Sequence, residues 1–535
     1  MDVPLTIRWI FEHALRNHGD REVVWRSGDG SIGRYTYADF GRRVAGLAHA
    51  LVELGVRPGD RVASFAWNNE RHLELYYALP MIGAVLHTTN VRLFPQQLAW
   101  ILDHAGDRLV FVDTSLAPTL AKAEGTGSAL PPVVVMGGRS DAFPDASDYE
   151  PLIAGRPHAY PWPELGERDG AILCYTSATT GDPKGVVFTH RSTVIHAFAA
   201  GLAESISIAQ RDAVLPVVPM FHVNAWGVPY VGPMVGAKLV LPGAALDPHS
   251  LIDLIERERV TVALGVPTVW LALRDELLRR DARLPTLERL VVGGSACPPS
   301  LYDDLVSLGI EVAHSWGMTE MSPIGSTAKL VAQLADAPAD AARERLLTQG
   351  RFSPIVAWKV LDDEGRDVPR DGTTPGALWV RGPSVAAGYY RDAGNSEAFR
   401  DGYFHTGDVC TVDSYGYMKI VDRSKDLVKS GGEWISSVDL ENAIMGHPLV
   451  REAAVIGLPH AKWIERPVAV VVLRDGAVID EATLVTWLAE RVAKRWLPDR
   501  VVFVDAIPRT GVGKFLKRAL RERYAHLLDP VSLTP

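Results

Sequence analysis

The stretch TYADFGRRVAGLAHALVELGVRPGDRVASFAW, residues 36–67, contains the pattern on which most of this chain is built. Thr36 and Asp39 stand at the spacing of a helix capping box, and apolar residues then recur at helical intervals until Gly55. The segment DRVASFAW, residues 60–67, follows as an apolar run typical of a buried strand. The stretch therefore predicts a capped amphipathic helix followed by a strand.

The same alternation recurs farther along the chain. VTVALGV (260–266) follows a predicted helix at 248–258, and LERLVVGGSA (287–296) follows another near 267–280. Helices that alternate with nearly continuous apolar strands are typical of α/β layers around a mostly parallel sheet. The glycines after these strands, Gly265 and Gly293 with Gly294, stand where open α/β sheets bind ligands.

The pattern changes at about residue 355. IVAWKVLDDEGRDVPRDGTTPGALWVRG (355–382) has short apolar runs separated by turn residues, which predicts an antiparallel β unit. After a charged segment at 422–426, a helix, the strand AAVIGL and a final α+β unit are predicted. We therefore expect an α/β fold with a large N-terminal domain (1–422) of layered sheets plus a β unit. A small, mobile α+β C-terminal domain (426–535) would follow a hinge near 423–425.

Composition narrows the class of protein. The 535 residues are 47% hydrophobic and 22% charged, which is ordinary for a folded soluble protein. A net charge of −9 without a long basic run gives no nucleic-acid interface. Three widely spaced cysteines predict neither disulfides nor a metal site. The sequence has no signal peptide and no apolar run near the ~18 residues that a bilayer requires, so we expect a cytoplasmic protein.

YTSATTGDPKG (175–185) places five hydroxyl groups, two glycines and a lysine in eleven positions. Hydroxyls, backbone N–H groups and an ammonium are the donors that phosphate oxygens accept from. An ordinary surface turn is the alternative for this loop alone. The P-loop pattern is not met, because Gly185 follows Lys184 where Ser or Thr is required, and TGVGKF (510–515) fails it at Pro508 and Phe515.

Three further stretches carry polar residues suited to a nucleotide. SWGMTEMSP (315–323) places Thr319 beside Glu320, a hydroxyl next to a carboxylate, as a hard cation requires. YFHTGDV (403–409) offers Asp408, which can accept from two ribose hydroxyls. IPRTGVGKFLKR (507–518) presents Lys514 on a glycine-flanked loop. Taken singly, each is more typical of a turn or a solvated charge.

In order and approximate spacing, these four stretches resemble the adenylate-forming superfamily of acyl-CoA synthetases, nonribosomal-peptide adenylation domains and beetle luciferases. The resemblance covers essentially the whole chain. It is strongest to bacterial fatty-acyl-CoA synthetases and methylmercaptopropionate-CoA ligases, through VLHTTNVRLFPQQLAWILDHA (85–105), PVVPMFHVNAWG (216–227) and KSGGEWISSVDLEN (429–442).

The resemblance implies a two-step reaction. A carboxylate attacks the α-phosphate of ATP, releasing pyrophosphate, and the thiol of coenzyme A then attacks the acyl-adenylate. It implies Mg²⁺ held by Thr176 and Glu320, with Thr319 near the α-phosphate. The implied phosphate loop is Thr176, Ser177, Ala178, Thr179, Thr180, Gly181 and Lys184. The implied adenine and ribose contacts are Gly294, Ser295, Ala296, Trp316, Gly317, Asp408 and Arg423.

The resemblance also implies a rotation of the small domain. Lys514 matches the lysine that reaches the reacting phosphorus, and Lys425 matches the hinge residue. After rotation, a loop would close over the nucleotide and pantetheine with Lys429, Gly431, Glu433 and Trp434.

An acid pocket is implied next to the nucleotide. Its walls would be Met220, Phe221, His222, Val223, Asn224, Gly265, Val266 and Pro267, with Trp226 as an aromatic gate or, alternatively, a core aromatic. No cation stands out for a second carboxylate, so we expect a medium- to long-chain fatty acid, with 3-methylmercaptopropionate or another short or aryl acid as the alternative. The partners are this acid, ATP and coenzyme A, and close relatives imply a homodimer.

One departure from the family pattern and two rival functions remain. Ala178 stands where the family has glycine, and a methyl group there could crowd a phosphate oxygen. A weakened, non-catalytic acyl or nucleotide binder is therefore one rival. An α/β-hydrolase is the other, because GGSAC (293–297) differs from Gly-x-Ser-x-Gly at Cys297 alone. Luciferase-type oxidation would need an aromatic luciferin pocket, which the sequence does not show.

Overall fold

The structure is a computed structural model of the chain and describes residues 2–126, 129–176, 183–392, 397–423, 425–430, 433–460, 462–510 and 514–528. For residues 433 and 434 it describes the backbone alone. Among the described residues, no helix is both long and apolar enough to cross a membrane.

Layered helices and strands form the chain as far as residue 352. The strands are β1 (Glu22–Arg26), β2 (Ile32–Thr36), β3 (Arg61–Phe65), β4 (Val85–Thr88), β5 (Asp107–Asp113), β6 (Val133–Met136), β7 (Ser147–Asp148), β8 (Gly170–Tyr175), β9 (Gly185–Thr189), β10 (Ala213–Pro216), β11 (Lys238–Leu241), β12 (Val262–Gly265), β13 (Arg289–Val292), β14 (Glu311–Gly317), β15 (Ile324–Thr327) and β16 (Arg351–Phe352).

Helices alternate with these strands, as the sequence predicted. They are α1 (Ile7–His18), α2 (Tyr37–Glu53), α3 (Glu70–Met81), α4 (Pro95–Ala105), α5 (Ala117–Glu124), α6 (Tyr149–Ile153), α7 (His190–Gly201), α8 (Val228–Val235), α9 (Pro248–Glu258), α10 (Pro267–Arg280), α11 (Pro299–Ser307) and α12 (Ala339–Leu346).

Two large sheets organise this region. One has the order β7-β6-β5-β3-β4-β8-β9, and the other has the order β16-β15-β14-β13-β12-β10-β11-β1-β2. Both are parallel through their centres, and their antiparallel pairs stand at the edges, such as β8 with β9 and β1 with β2. One continuous buried core joins the two sheets and includes Val62 of β3 and Val262 of β12. The predicted layered α/β architecture is confirmed.

The predicted antiparallel β unit follows. It contains β17 (Ala357–Leu361), β18 (Gly376–Arg381), β19 (Phe399–Arg400), β20 (Tyr403–Val412) and β21 (Met418–Arg423). All of its pairings are antiparallel, and the register of β20 with β21 sets Asp408 opposite Arg423. This register brings an acid and a base together from positions fifteen residues apart in the sequence.

The last part of the described chain is an α+β unit. Its strands are β22 (Val428–Ser430), β23 (Glu433–Ile435), β24 (Val450–His460), β25 (Ile464–Leu473) and β26 (Arg500–Phe503), and its helices are α13 (Ser437–Met445), α14 (Glu481–Ala489) and α15 (Lys517–Tyr524). Two apolar cores cover the sheet formed by these strands, one including Leu440 of α13 and the other Leu520 of α15. This architecture confirms the predicted small α+β unit.

The opening stretch of the sequence folds as its pattern indicated. Helix α2 begins directly after Thr36, whose side chain accepts a hydrogen bond from the backbone of Asp39 while the Asp39 carboxylate accepts one from the Thr36 backbone. The predicted helices at 248–258 and 267–280 coincide with α9 and α10. The three cysteines are buried and unpaired with one another.

Candidate active site

A cavity of about 390 Å³ lies where β12, β13 and β14 end and the C-terminal unit begins. The carboxyl ends of parallel strands are the usual ligand-binding edge of an α/β sheet. Among the residues named from the sequence, the lining contains Thr176, His222, Val223, Trp226, Val266, Pro267, Gly294, Ser295, Ala296, Trp316, Gly317, Thr319, Glu320, Asp408, Arg423, Lys425 and Lys514. Stretches from distant parts of the sequence thus meet in one site.

Asp408 is held in a fixed orientation on one wall of the cavity. The indole Nε1 of Trp316 donates a hydrogen bond to Asp408 Oδ2 at 2.9 Å, and Arg423 Nε lies 3.0 Å from Asp408 Oδ1. The carboxylate is almost completely buried, and the charge of Arg423 compensates for its lost solvation. Each oxygen keeps a lone pair, so the group can accept hydrogen bonds from a ligand's hydroxyls.

Thr319 and Glu320 stand in a short 3-10 turn, Thr319–Met321, directly after β14. Both are buried, and the hydroxyl of Tyr389 donates a hydrogen bond to Glu320 Oε1 at 2.8 Å. Burial raises the pKa of Glu320, and this hydrogen bond partly opposes the rise. An oxygen donor buried in a ligand cavity fits Mg²⁺, which proteins commonly bind through one or two carboxylates and the substrate's phosphates.

Lys514 enters the cavity from the C-terminal unit. Its loop is braced by hydrogen bonds from Thr510 N to Lys514 O at 2.7 Å and from Lys514 N to Thr510 Oγ1 at 3.2 Å. The side chain reaches Gly294, where an added Cβ would stand 4.0 Å from Lys514 Cε. Burial, followed by the charge of Arg423, lowers the pKa of Lys514 to about 8. The ammonium is therefore the predominant form at neutral pH, although it is less favoured than in water.

Trp226 and His222 form another wall, on a backbone turn of uncommon conformation. Residues 223–226 all have positive φ, between 41° and 56°, in a left-handed 3-10 turn that leads into Gly227. Such φ values are costly for residues other than glycine, and strain of this kind is concentrated at functional sites. The indole of Trp226 packs over Gly293, where an added Cβ would lie 3.0 Å from Trp226 Cη2. Burial lowers the pKa of His222 to about 3, so this ring is neutral.

Comparisons with known proteins identify the chain. The pattern of the AMP-binding enzyme family matches residues 11–390, and that of the AMP-binding enzyme C-terminal domain matches residues 439–514. The chain belongs to the AMP-binding enzyme family. It is 44% identical to the 3-methylmercaptopropionyl-CoA ligase of Ruegeria pomeroyi over 98% of both chains. It is 46% identical to the long-chain-fatty-acid–CoA ligase of Thermus thermophilus over 98% of this chain and 96% of that one.

A solved structure with a similar fold supports the same assignment. The anthranilate CoA ligase AuaEII, in complex with anthranoyl-AMP, aligns with a TM-score of 0.87 at 25% identity and over 98% of both chains. The chain is therefore an AMP-forming acid–thiol ligase. This assignment decides against the α/β-hydrolase alternative.

Several residues predicted for the site of this AMP-binding enzyme lie outside the cavity lining. Phe221 packs in a separate core beside Trp67, and Asn224 Oδ1 accepts a hydrogen bond from Tyr76 at 3.2 Å. Gly265 supports the indole of Trp270. The others are Met220, Lys184 and Lys429. Ser177, Ala178, Thr179, Thr180, Gly181 and Gly431 lie outside the described residues, as do the side chains of Glu433 and Trp434.

The predicted hinge residue, Lys425, lines the cavity and is held from the C-terminal unit. Arg521 Nη2 donates a hydrogen bond to the backbone oxygen of Lys425 at 3.2 Å and lies 2.6 Å from Asp426 Oδ1. Both contacts join the segment that follows β21 to helix α15. A movement at Lys425 would therefore carry α15 with it.

Sequence reasoning missed several residues of this AMP-binding enzyme's site. Tyr389 contacts Glu320 from a segment with no recognised motif, and a pair of tyrosines after a glycine was its only signal. On the C-terminal side, the cavity is also lined by Glu441, Asn442, Glu452, Arg509 and Lys517. Whether these residues line the cavity depends on the position of the C-terminal unit relative to the rest of the chain, which the sequence pattern does not reveal.

The lowered pKa of Lys514 predicts how the first half-reaction depends on pH. If its ammonium is required, kcat/KM for adenylate formation should fall with a single ionisation above about pH 8. The polyphosphate of bound ATP favours the ammonium, so the fall in kcat should occur at higher pH. Pyrophosphate release at pH 6–10 measures both profiles. Lys514→Arg keeps its charge over this range, and persistence of the same alkaline fall in that variant would assign the ionisation to another group.

Proposed function

We propose that this ligase converts a medium- to long-chain aliphatic monocarboxylic acid, ATP and coenzyme A into acyl-CoA, AMP and pyrophosphate through an acyl-adenylate. The observation that carries the proposal is the meeting of Lys514, Asp408 and Glu320 with the apolar wall around Trp226 in one cavity. Lys514 supplies a cation for the nucleotide, Asp408 accepts hydrogen bonds from its hydroxyls, and Glu320 binds its metal ion. The apolar wall binds the acyl chain.

In the first step the acid's carboxylate attacks the α-phosphate, and negative charge develops on the phosphorus oxygens. We assign stabilisation of that charge to the ammonium of Lys514, because it is already positioned and partly desolvated. Asp408 would accept hydrogen bonds from the ribose hydroxyls, oriented by Trp316 and Arg423. Glu320, with Thr176, would hold Mg²⁺, which neutralises phosphate charge when bound.

We assign the phosphates of ATP to the loop that starts at Thr176. Its stem is closed by hydrogen bonds from Thr176 N to Lys184 O at 2.9 Å and from Lys184 N to Thr176 Oγ1 at 3.3 Å. Adenine would lie between the backbone of 294–296 and Trp316, both of which line the cavity. We assign Thr319 to the α-phosphate, and the turn that contains Thr319 also contains Glu320.

The second step requires space for the thiol of coenzyme A, which the small domain would provide by rotating. We place the domains at 1–422 and 426–535, with the hinge at 423–425. Rotation would withdraw Lys514 and bring in the segment with Lys429, Gly431, Glu433 and Trp434. We also propose a cytoplasmic homodimer.

The identity of the acid is the part of the proposal that the structure restricts least. Besides Trp226, the cavity lining has other apolar members, among them Val218, Val266 and Leu271. Apolar walls bind alkyl chains through burial of about 0.8 kcal/mol per methylene group. The alternative, 3-methylmercaptopropionate, is favoured by the Ruegeria pomeroyi relative.

A substrate panel tests the proposal. Straight-chain acids from C2 to C18 and 3-methylmercaptopropionate would be compared for AMP release in the presence of ATP, Mg²⁺ and coenzyme A. The proposal predicts the highest kcat/KM for an acid of medium or long chain. A maximum at 3-methylmercaptopropionate would select the alternative, and absence of AMP release with every acid would reject both.

Trp226→Ala should change acid selectivity and leave ATP binding nearly unaltered, because the indole borders the apolar wall and not the residues assigned to the phosphates. We expect the ratio of kcat/KM between long and short acids to change by about tenfold. The reason is that methylene groups of the acid can occupy the space left by the indole and add binding energy. The acid panel and the KM for ATP measure the two effects. An equal loss for every acid would show that Trp226 is a core residue.

A further inference from the structure

We propose that Tyr389 is a positioning residue for two groups: its hydroxyl holds the carboxylate of Glu320, which we assign to Mg²⁺, and its ring holds the ammonium of Lys184, which we assign to the phosphate loop. The inference deepens the proposed function and rests on it. Tyr389 lies outside the cavity lining, so it would act through these two residues and not by contact with substrate.

The hydroxyl of Tyr389 fixes the direction of Glu320. It donates a 2.8 Å hydrogen bond to Oε1, and the backbone N–H of Ala386 donates to the Glu320 backbone oxygen at 2.7 Å. Both donors come from the segment that precedes residue 390, so this segment holds the backbone and the side chain of Glu320 together. A hydrogen bond to one carboxylate oxygen leaves the other oxygen to bind a cation, an arrangement that proteins use to orient metal ligands.

The ring of Tyr389 contacts the ammonium of Lys184. Lys184 Nζ lies 4.7 Å from the ring centroid, within the range of a cation–π interaction, and 3.9 Å from Asp392 Oδ2. The side chain of Lys184 is 53% exposed, so without such contacts its flexible stem would sample many positions. The ring therefore holds the ammonium at the end of the loop stem.

The backbone ties this segment to the phosphate loop. Tyr390 N donates a hydrogen bond to Gly185 O at 2.7 Å, and the two residues form an isolated antiparallel bridge. Gly185 permits the close approach, because an added Cβ would lie 3.1 Å from the Cβ of Tyr390. The loop stem, Lys184 and Glu320 thus all contact one short segment, 389–392, which contains Tyr389.

Two substitutions separate the two contacts of Tyr389. Tyr389→Phe removes the hydroxyl and keeps the ring, so the Mg²⁺ concentration for half-maximal pyrophosphate release should rise about tenfold, as expected for loss of a hydrogen bond to a charged group. Tyr389→Leu removes both contacts, so the KM for ATP should also rise, by about threefold. Thioester formation from preformed acyl-AMP and coenzyme A should stay at the wild-type rate in both variants, because that step involves neither the β- nor the γ-phosphate.

Binding provides a readout besides turnover. Calorimetric titration of MgATP without acid should show weaker binding in both variants, and Tyr389→Leu should bind more weakly than Tyr389→Phe. Tyr417→Phe is the matched control, because it also removes a tyrosine hydroxyl that donates a hydrogen bond, in this case to Lys329 O at 2.7 Å. It should leave the Mg²⁺ dependence unchanged, whatever its effect on thermal unfolding.

Three outcomes would overturn the inference. These are a wild-type Mg²⁺ dependence in Tyr389→Phe, the same shift in Tyr417→Phe, or equal losses in both half-reactions. If the wild-type protein binds MgATP but acts on no acid, the proposed function fails, and the binding comparison still decides the role of Tyr389.

Discussion

Lys514→Ala is expected to lower the rate of adenylate formation by at least about 100-fold, because a charge contact made mainly in the transition state is lost. The same variant, given preformed acyl-AMP and coenzyme A, should form thioester at close to the wild-type rate. In the described conformation Lys514 approaches Gly294 and is partly buried next to His222 and Arg423. This is the position from which it would serve the first step alone. Single-turnover pyrophosphate release and thioester formation measure the two steps separately.

Because Lys514 lies near the like charge of Arg423, the Lys514→Ala variant tests the mechanism more than the stability of the fold. Removal of a partly buried ammonium that lies near Arg423 relieves a repulsion between like charges, so the variant should remain folded, with a thermal midpoint near that of the wild-type protein. Comparable losses in both half-reactions would contradict the two-orientation mechanism and leave the assignment to the ligases intact.

Much of the fold could be predicted from the sequence because its signals are local. The capping box at Thr36, the helical spacing that follows and the glycine after it together determined α2. The apolar runs before Gly265 and Gly293 predicted parallel strands, and their ends form the cavity. The order of four polar stretches predicted which residues would meet, although they are up to several hundred residues apart in the sequence.

Other parts of the site depend on tertiary contacts that leave no periodic signal. The left-handed turn at 223–226 consists of Val, Asn, Ala and Trp, of which only Asn commonly adopts positive φ, so its conformation must be imposed by the surrounding core. The hydrogen bond between Tyr389 and Glu320 joins segments that are 69 residues apart in the sequence. The pairing of Asp408 with Arg423 depends on a strand register that shifts at Cys410, which composition alone does not reveal.

Lys425→Pro is expected to produce the reverse pattern to Lys514→Ala. Proline fixes φ near about −65° and removes the backbone donor, so the hinge could not take up the backbone change that rotation requires. Adenylate formation should proceed at near the wild-type rate if the described conformation, with Lys514 in the cavity, tolerates that φ. Thioester formation should fall by about 100-fold, equivalent to roughly 2.7 kcal/mol in the barrier.

Lys425→Ala is the matched control, because both variants lose the ammonium that lines the cavity and only the proline restricts the backbone. Arg521 donates its hydrogen bond to the backbone oxygen of Lys425, an acceptor that alanine and proline both retain, so the link to α15 is preserved in each. The alanine variant should therefore keep thioester formation within about threefold of wild type. If alanine and proline reduced thioester formation equally, the side chain of Lys425 would be the cause, and rotation about this residue would lose its support.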